Sequence, residues 1–279
     1  MSRPLALCVD DFGAAPGIAE AVHELADAGR LNAVSCLVNG ADWARAARTL
    51  SSVVPHADIG LHFNLTEGRP LSPELAGIWP NLPSLRRLIV SAHVGLLPVQ
   101  AVRAELAAQL EAFRAATGSA PRFIDGHQHV HHLPRIRKLV IEAAARSHPA
   151  LAVRNTGRVL GPGHAVKRAL IERTGGCALQ HELDTAGLAR NAALTGVYDF
   201  ADPDYGALMR RWLVELPEDG ALLFCHPAAT GTASGDAIAP ARAREFAYLR
   251  SARFADDLAA ADVTLQPVWR AFSGTTRRG

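Results

Sequence analysis

The chain has 279 residues, of which 49% are hydrophobic and 20% are charged, and its net charge is +2 with histidine neutral. This length suits one large α/β domain or two small ones. The charge is too balanced to indicate nucleic acid or an anionic membrane as a partner. No apolar stretch approaches transmembrane length, and residues 1–13 lack the features of a signal peptide, so we expect a cytoplasmic protein without a membrane span.

Short apolar runs alternate with helical periods along the chain. Strands are predicted at residues 5–10, 33–40, 57–65, 122–130, 151–155, 221–227 and 263–268. Helices are predicted at residues 17–30, 41–50, 99–118, 133–147, 164–173, 205–216 and 244–262. Residues 70–98 are rich in proline and leucine, and we expect them to form an insertion or long loop.

A strand followed by a helix, repeated six or seven times, predicts a parallel sheet with right-handed crossovers. At this length the pattern favours a distorted or incomplete (β/α) barrel over an open doubly wound sheet. No glycine-rich dinucleotide motif follows the first strand, and no shift in composition marks a second domain. We therefore expect residues 1–279 to form a single domain.

Polar side chains recur where the predicted strands end, which is the edge that carries the chemistry in a (β/α) barrel. They are Asp10 and Asp11 on strand one, His62 and Asn64 on strand three, Asp125, His127 and His129 on strand four, Arg154 and Asn155 on strand five, and His226 on the late strand ALLFCHP. We therefore expect these side chains to surround one cavity.

The stretch Phe123–Pro134, FIDGHQHVHHLP, holds four of the chain's twelve histidines. In an extended segment His127, His129 and His131 point the same way, but they span too far for all three to reach one ion. We predict that His127, nearest the strand end, is a ligand. His129 and His131 are predicted to support the site or contact substrate, and His132 to be a surface residue.

Each candidate also has a purely structural interpretation. Asp10 and Asp11 suit the start of a helix, although an adjacent pair of carboxylates repels unless a cation neutralises it. His62 alone is more typical of a structural histidine. Arg154 is equally compatible with an ion pair at the edge of the core, and His226 with an ordinary loop position.

One aspartate and two histidines around a divalent ion leave positions open for water and substrate, as in hydrolytic metal sites. Asp11, His62 and His127 fill this set. Asp10 is the candidate general base, and His226 is the candidate acid or oxyanion-stabilising group. The ligand types permit Zn²⁺, Mg²⁺ or a similar ion, and histidine disfavours Mg²⁺.

Several motifs resemble those of the YdjC-like carbohydrate deacetylases. They are VDDFG at residues 9–13, LVNG in strand two, GLHFNLTEGRPL at residues 60–71, DGHQHVH at residues 125–131 and CHP at residues 225–227. The resemblance runs from residue 5 to about residue 270. It implies a distorted (β/α) barrel akin to polysaccharide deacetylases, and metal-dependent removal of acetyl from an N-acetylated sugar. Members of this family are often dimers.

By motif position the resemblance places the metal ligands at Asp11, His62 and His127, the base at Asp10 and a late active-site histidine at His226. The remaining candidates, predicted to contact substrate, are Asn64, His129, His131 and Arg154. Residues 70–98 and 157–198 match the family poorly. The motif DGHQHVHH also departs from the family, because the corresponding motif of the chitooligosaccharide enzymes resembles D-S-H-H-H-V-H. We expect these departures to affect substrate choice.

Three other functions remain open at this point. A phosphoesterase on the same barrel would have more basic residues at the rim and further metal ions. A metal-dependent sugar isomerase would have a pair of acid/base carboxylates flanking the metal. A metal-stabilised binding protein would have a closed metal site.

Overall fold

The computed structural model describes residues 2–229 and 236–272. Its strands are β1 Arg3–Phe12, β2 Ala33–Cys36, β3 Asp58–Phe63, β4 Phe123–Gly126, β5 Ala152–Val153, β6 Ala189–Arg190, β7 Leu194–Thr195, β8 Ala221–Cys225, β9 Val263–Leu265 and β10 Arg270–Ala271. Its α-helices are α1 Pro16–Asp27, α2 Trp43–Ala46, α3 Pro73–Ala76, α4 Leu85–His93, α5 Val99–Thr117, α6 Ile136–Arg146, α7 Ala165–Ile171, α8 Cys177–Ala186, α9 Tyr205–Val214, α10 Ala239–Leu249 and α11 Ala252–Ala260. Two 3₁₀ segments span Ala47–Ser52 and His127–His132, and a π-helical turn spans Glu172–Gly176.

The main sheet is parallel, with the strand order β5-β4-β3-β2-β1-β8-β7 and with β9 paired to β1. Strand β1 lies inside the sheet, between β2 and β8, and is buried from Pro4 to Phe12. Such an unbroken buried run is typical of a parallel strand covered on both faces. Because all strands run in the same direction, their carboxyl ends meet at one edge of the sheet.

The barrel is incomplete, as predicted. No backbone ladder joins β5 to β7 within the part of the chain that the structure describes. Side chains bridge the gap instead: the Asn155 N–H donates to Asn191 Oδ1 at 2.7 Å, and Asn191 Nδ2 donates to the Asn155 carbonyl at 3.1 Å. An isolated parallel bridge between Val159 and Leu194 extends this contact.

The segment 70–98 differs from the expected long loop because it contains helices α3 and α4. Pro73 occupies the first turn of α3, where its missing N–H costs nothing, so it starts a helix instead of breaking one. Ser72 caps α3 by accepting from the Leu75 N–H. Glu105 on α5 anchors the segment by accepting the N–H groups of Leu71 and Ser72 at 3.0 and 2.7 Å.

Other boundaries also differ from the predictions. The helix predicted at residues 244–262 is divided into α10 and α11 at Ser251, whose hydroxyl donates to the Tyr248 carbonyl and competes with helix continuation. The short strands β6 and β7 lie in a stretch where we predicted none. The helix predicted at residues 99–118 is confirmed, and Gly118 ends it with φ of 73°.

Among the described residues, no helix has both the length and the apolar character needed to cross a bilayer. The cytoplasmic location and the extent of the single domain stay predictions.

Candidate metal centre and active site

Three residues predicted as metal ligands lie together at the carboxyl edge of the sheet. Asp11 Oδ1 is 3.4 Å from His62 Nε2 and 3.0 Å from His127 Nδ1. One donor atom from each residue lies within 4.8 Å of the other two. Asp11 and His62 are each 2% exposed, so this cluster is buried. A carboxylate and two imidazoles are a donor set that suits Zn²⁺ and similar ions.

A β-bulge explains how two adjacent aspartates reach the same cavity. Neighbouring residues of a regular strand point to opposite faces. Between the pairs Val9–Val34 and Phe12–Cys36, β1 contains one residue more than β2. This irregularity places Asp11 in the left-handed region with φ of 64°, which aspartate tolerates better than most residues. Asp10 and Asp11 therefore both line the cavity.

The histidine run is not an extended strand end, and this part of the prediction is wrong. Strand β4 ends at Gly126, and Gln128 and His129 adopt φ of 53° and 61°. The chain therefore turns immediately after His127, which alone of the run faces Asp11. Gly126 is required at this turn because a Cβ there would lie 2.8 Å from the His131 backbone nitrogen.

The last two histidines of the run are structural. His131 is fully buried, with Nε2 2.9 Å from the Arg154 carbonyl, so its predicted contact with substrate is wrong. His132 is also buried, not a surface residue, because it hydrogen-bonds the hydroxyls of Thr156 and Thr174. Burial lowers the pKa of His131 to about 4, which keeps this imidazole neutral. His129 does line the cavity.

Each histidine of the cluster has a carboxylate at its other ring nitrogen. His62 Nδ1 lies 2.7 Å from Asp125 Oδ1, which also accepts the Ser35 hydroxyl at 2.5 Å. His127 Nε2 lies 3.1 Å from Glu67 Oε1. Such carboxylates orient histidine ligands and raise their basicity. Sequence reasoning missed the role of Glu67, although the residue lies in the GLHFNLTEGRPL motif five positions after His62.

Arg154 holds the candidate base in place. Its guanidinium donates to both Asp10 oxygens at 2.7 and 2.6 Å, and Nη2 also lies 2.5 Å from Asp125 Oδ2. The residue is fully buried behind these carboxylates and does not line the cavity. The predicted contact between Arg154 and substrate is therefore wrong. Its charge instead offsets two carboxylates that burial would otherwise penalise.

Asn64 shapes the loop that carries Glu67. Its Oδ1 accepts the N–H groups of Thr66 and Glu67 at 2.9 and 3.1 Å, and its Nδ2 donates to the Glu67 carbonyl at 2.8 Å. Because Asn64 is only 1% exposed and its amide is committed to the loop, its predicted contact with substrate is also wrong. This side chain positions a neighbour of His127.

The pKa values of Asp11, His62 and His127 are shifted by the opposite charges that lie beside them. Burial alone would lower the pKa of His62 and His127, but the carboxylates beside them raise these values to about 10 and about 9. Burial alone would raise the pKa of Asp11, yet His127, His62 and Arg242 hold it well below its usual range. In the metal-free protein at pH 7, Asp11 is therefore ionised and both imidazoles are protonated.

Helix α10 supplies two charged residues that sequence reasoning missed. Arg242 donates to Asp11 Oδ2 at 2.7 Å and to Asp236 at 2.8 Å. Glu245 is fully buried and accepts the backbone N–H of His226 and the hydroxyl of Tyr198. Because charged residues are common in any helix, the sequence carries no signal that singles these two out.

The cluster opens into a cavity of about 790 Å³. We call the residues that carry its chemistry the floor: Asp10, Asp11, His62, His127 and His226. We call one further part of its lining the apolar wall: Leu85, Leu170, Ile171 and Phe200. The two parts meet where the rings of His226 and Phe200 lie 5.4 Å apart.

A model of the YdjC-like protein family matches residues 4–260, and the chain therefore belongs to this family. This confirms the resemblance in the motifs. A crystal structure from Enterococcus faecalis, of a proposed cellobiose-phosphate cleavage protein, superposes with a TM-score of 0.73 at 18% identity. It covers 96% of this chain and 98% of its own, which supports the predicted barrel-like fold.

Two curated relatives have names that state an activity. A human protein named carbohydrate deacetylase is 40% identical over 156 residues, which are 51% of this chain and 46% of the relative. A protein from Escherichia fergusonii named chitooligosaccharide deacetylase is 35% identical over 153 residues, which are 55% of this chain and 60% of the relative. The matches thus span about half of the length of these relatives.

Proposed function

We propose that this protein is a metal-dependent carbohydrate N-deacetylase that hydrolyses the acetamido group of a sugar to acetate and a free amine. The observation that carries the proposal is the meeting of Asp11, His62 and His127 on a cavity that also exposes Asp10 and His226. Membership of the YdjC-like family supports it. So do the names of the two curated relatives.

Asp11, His62 and His127 would hold one divalent ion, either Zn²⁺ or an ion of similar preference. The fit rests on their donor atoms and on the carboxylates behind both histidines. When bound, the ion would activate a water molecule and polarise the acetyl carbonyl. Arg242 occupies the second oxygen of Asp11 and so leaves Oδ1 to face the histidines.

Asp10 would accept the proton of the attacking water. Its two hydrogen bonds from Arg154 fix the plane of the carboxylate. The water oxygen forms a bond to the acetyl carbon, and the carbon–nitrogen bond then breaks. A second proton must reach the departing nitrogen, since an amide anion is too basic to leave.

His226 would supply that proton from the other side of the floor. Burial lowers its pKa to about 4 despite the nearby Asp11 and Asp10 carboxylates, so the imidazole is neutral at pH 7. It must therefore take up a proton from solvent before it can donate one, and negative charge developing on the substrate favours that uptake. Asp10 releases the proton of the water to solvent once acetate and the amine have formed, so that the protons balance. Glu245 holds the backbone of His226 in position for this role.

The geometry favours the deacetylase over the isomerase. An isomerase would need two free carboxylates flanking the metal on the substrate side. Asp125 lies fully buried behind His62, and Glu67, which lines the cavity, is paired with His127.

A phosphoesterase would have more basic residues at the rim. In the described lining, Arg242 is already paired with Asp11 and Asp236, which leaves Lys167, whose ammonium donates to the Tyr198 carbonyl.

The test is acetate release from a panel of N-acetylated sugars, monosaccharides, oligosaccharides and glycosides, by chelated protein with and without restored Zn²⁺, Co²⁺, Mn²⁺ or Mg²⁺. We expect metal-dependent acetate release from at least one sugar. Folded, metal-loaded protein that releases no acetate from any of them, but hydrolyses phosphate esters, would replace the proposal with the phosphoesterase.

A further inference from the structure

The adjacent aspartates of the floor are held by two different buried arginines. Arg154 donates to both oxygens of Asp10, at 2.7 and 2.6 Å. Arg242 donates to one oxygen of Asp11, Oδ2, at 2.7 Å. The other oxygen, Asp11 Oδ1, lies 3.0 Å from His127 Nδ1 and faces the donor cluster. Of the two aspartates, only Asp11 therefore has an oxygen that no guanidinium occupies.

The guanidinium of Arg242 is fixed by three different acceptors. Nη2 donates to Asp11, Nε donates to Asp236 Oδ2 at 2.8 Å, and Nη1 lies 3.4 Å from the His226 carbonyl oxygen. Asp236 is itself fixed, because its Oδ1 accepts the Ile238 N–H at 3.0 Å. The donors of a guanidinium form a rigid planar fork. Arg242 therefore cannot turn away from Asp11 without losing its contacts with Asp236 and His226.

The number of oxygens that Asp11 supplies decides how many positions of a bound ion stay open. A carboxylate can bind a metal ion through one oxygen or through both. Together with His62 and His127, one oxygen of Asp11 gives three protein ligands and leaves room for water and substrate. A second oxygen would fill one of the open positions. The guanidinium on Oδ2 prevents this, and its positive charge also repels the ion.

We propose that Arg242 is a positioning residue that limits Asp11 to one oxygen, and so keeps a coordination position of the ion open at the expense of metal affinity. This inference rests on the metal centre of the proposed function. It gives Arg242 the opposite effect from Glu67, whose carboxylate lies behind His127 and should strengthen metal binding. The sign of the change in metal affinity therefore separates this role from simple support of a ligand.

The test is Arg242→Met, which removes the charge and the N–H donors and keeps an unbranched side chain. Competition with a chromophoric chelator measures Zn²⁺ and Co²⁺ affinity, and the visible spectrum of the Co²⁺ protein reports its coordination number. We expect metal to bind about 10-fold more tightly, because a repelling charge is lost and a second oxygen is freed. The d–d bands of Co²⁺ should lose absorptivity as its coordination number increases. The value of kcat should decrease about 10–100-fold.

Two further proteins control for charge and for folding. Arg250→Met removes one positive charge at the end of α10, where Arg250 pairs with Glu24 on the surface, and should change neither affinity nor spectrum. Arg242→Ala leaves a space on the cavity lining that an added guanidinium ion can enter. Millimolar guanidinium chloride should restore the wild-type Co²⁺ spectrum and part of kcat in this variant, whereas equal sodium chloride should restore neither.

The outcomes separate the inference from the proposed function. Weaker metal binding in Arg242→Met with an unchanged Co²⁺ spectrum would overturn the inference, because Arg242 would then only support a ligand. An increased KM with unchanged metal affinity and spectrum would also overturn it, since Arg242 would then bind substrate. The expected affinity and spectrum, without acetate release from any sugar by the wild-type protein, would support the inference and contradict the deacetylase. Wild-type protein that binds no Co²⁺ would contradict both.

Discussion

The floor and the apolar wall of the cavity are built in opposite ways. On the floor, Asp10, Asp11 and His62 are buried, and each charged group has a specific partner at hydrogen-bonding distance. On the wall, Leu85 is partly exposed and Leu170 is largely exposed, and the two residues lie in helices α4 and α7. We therefore expect the carboxyl edge of the sheet to carry the proposed reaction and the helices beside it to determine which substrate is accepted.

The largest expected effect comes from removing a ligand on the floor. His127→Ala should lose both stoichiometric metal binding and acetate release, because the remaining aspartate and single histidine are too few to hold the ion. Metal content after dialysis, measured by atomic emission, tests this. His132→Gln is the control from the same histidine run, since His132 only hydrogen-bonds Thr156 and Thr174. Full metal stoichiometry in His127→Ala would remove His127 from the ligand set.

A second change should separate chemistry from metal binding on the floor. Asp10→Asn should reduce kcat by about 10²–10⁴-fold, the usual contribution of a general base. Metal stoichiometry should be unchanged, because Asp10 pairs with Arg154 and is not one of the three converging ligands. Steady-state acetate release together with metal analysis tests both statements, and circular dichroism checks the fold. An Asp10→Asn protein with wild-type kcat would exclude Asp10 as the base.

A smaller effect is expected at the edge of the floor. Glu67→Gln should weaken metal binding by about 10–100-fold, the usual effect of removing the carboxylate behind a histidine ligand. Competition with a chromophoric chelator measures this affinity. Glu74→Gln, in the exposed part of α3, provides a matched loss of one negative charge away from the cavity. If both variants lose the same amount of metal affinity, the effect of Glu67→Gln would be due to the change in net charge alone.

The smallest expected effect is the change of metal affinity with pH in the unsubstituted protein. His62 and His127 have raised pKa values of about 10 and about 9, so both are protonated in the metal-free protein at pH 7. A ligand imidazole must be neutral, so metal binding releases protons and metal affinity increases as the pH rises towards 9. Asp11, with its lowered pKa, stays ionised over this pH range and contributes nothing to the pH dependence of the metal affinity. Calorimetry in buffers of different ionisation enthalpy counts the protons. An affinity that does not change between pH 6.5 and 8 would contradict these pKa shifts.

The fold and the convergence of Asp11, His62 and His127 could be predicted because they depend on local signals. Buried parallel strands appear as short apolar runs, and Asp11 and His62 stand out as polar residues at the ends of such runs. The helix over residues 99–118 has regular periodicity and a glycine at its end. These features need no knowledge of distant contacts.

The errors concern features that tertiary contacts decide. The turn at Gln128 and His129 requires positive φ at two ordinary residues, which a sequence pattern does not indicate. Arg154 follows a strand, but only the structure shows that it lies behind Asp10 and Asp125. Arg242 reaches Asp11 across 231 positions of sequence, and nothing local marks it.

The most direct test of the account is a metal titration of chelated protein in which bound ion and acetate release are followed in the same samples. The substrate is the most reactive N-acetylated sugar of the panel. We predict that acetate release increases linearly with bound metal and reaches its plateau at one ion per chain. Acetate release that survives complete chelation, or a plateau of bound metal without any acetate release, would contradict the assignment of Asp11, His62 and His127 as a catalytic metal centre.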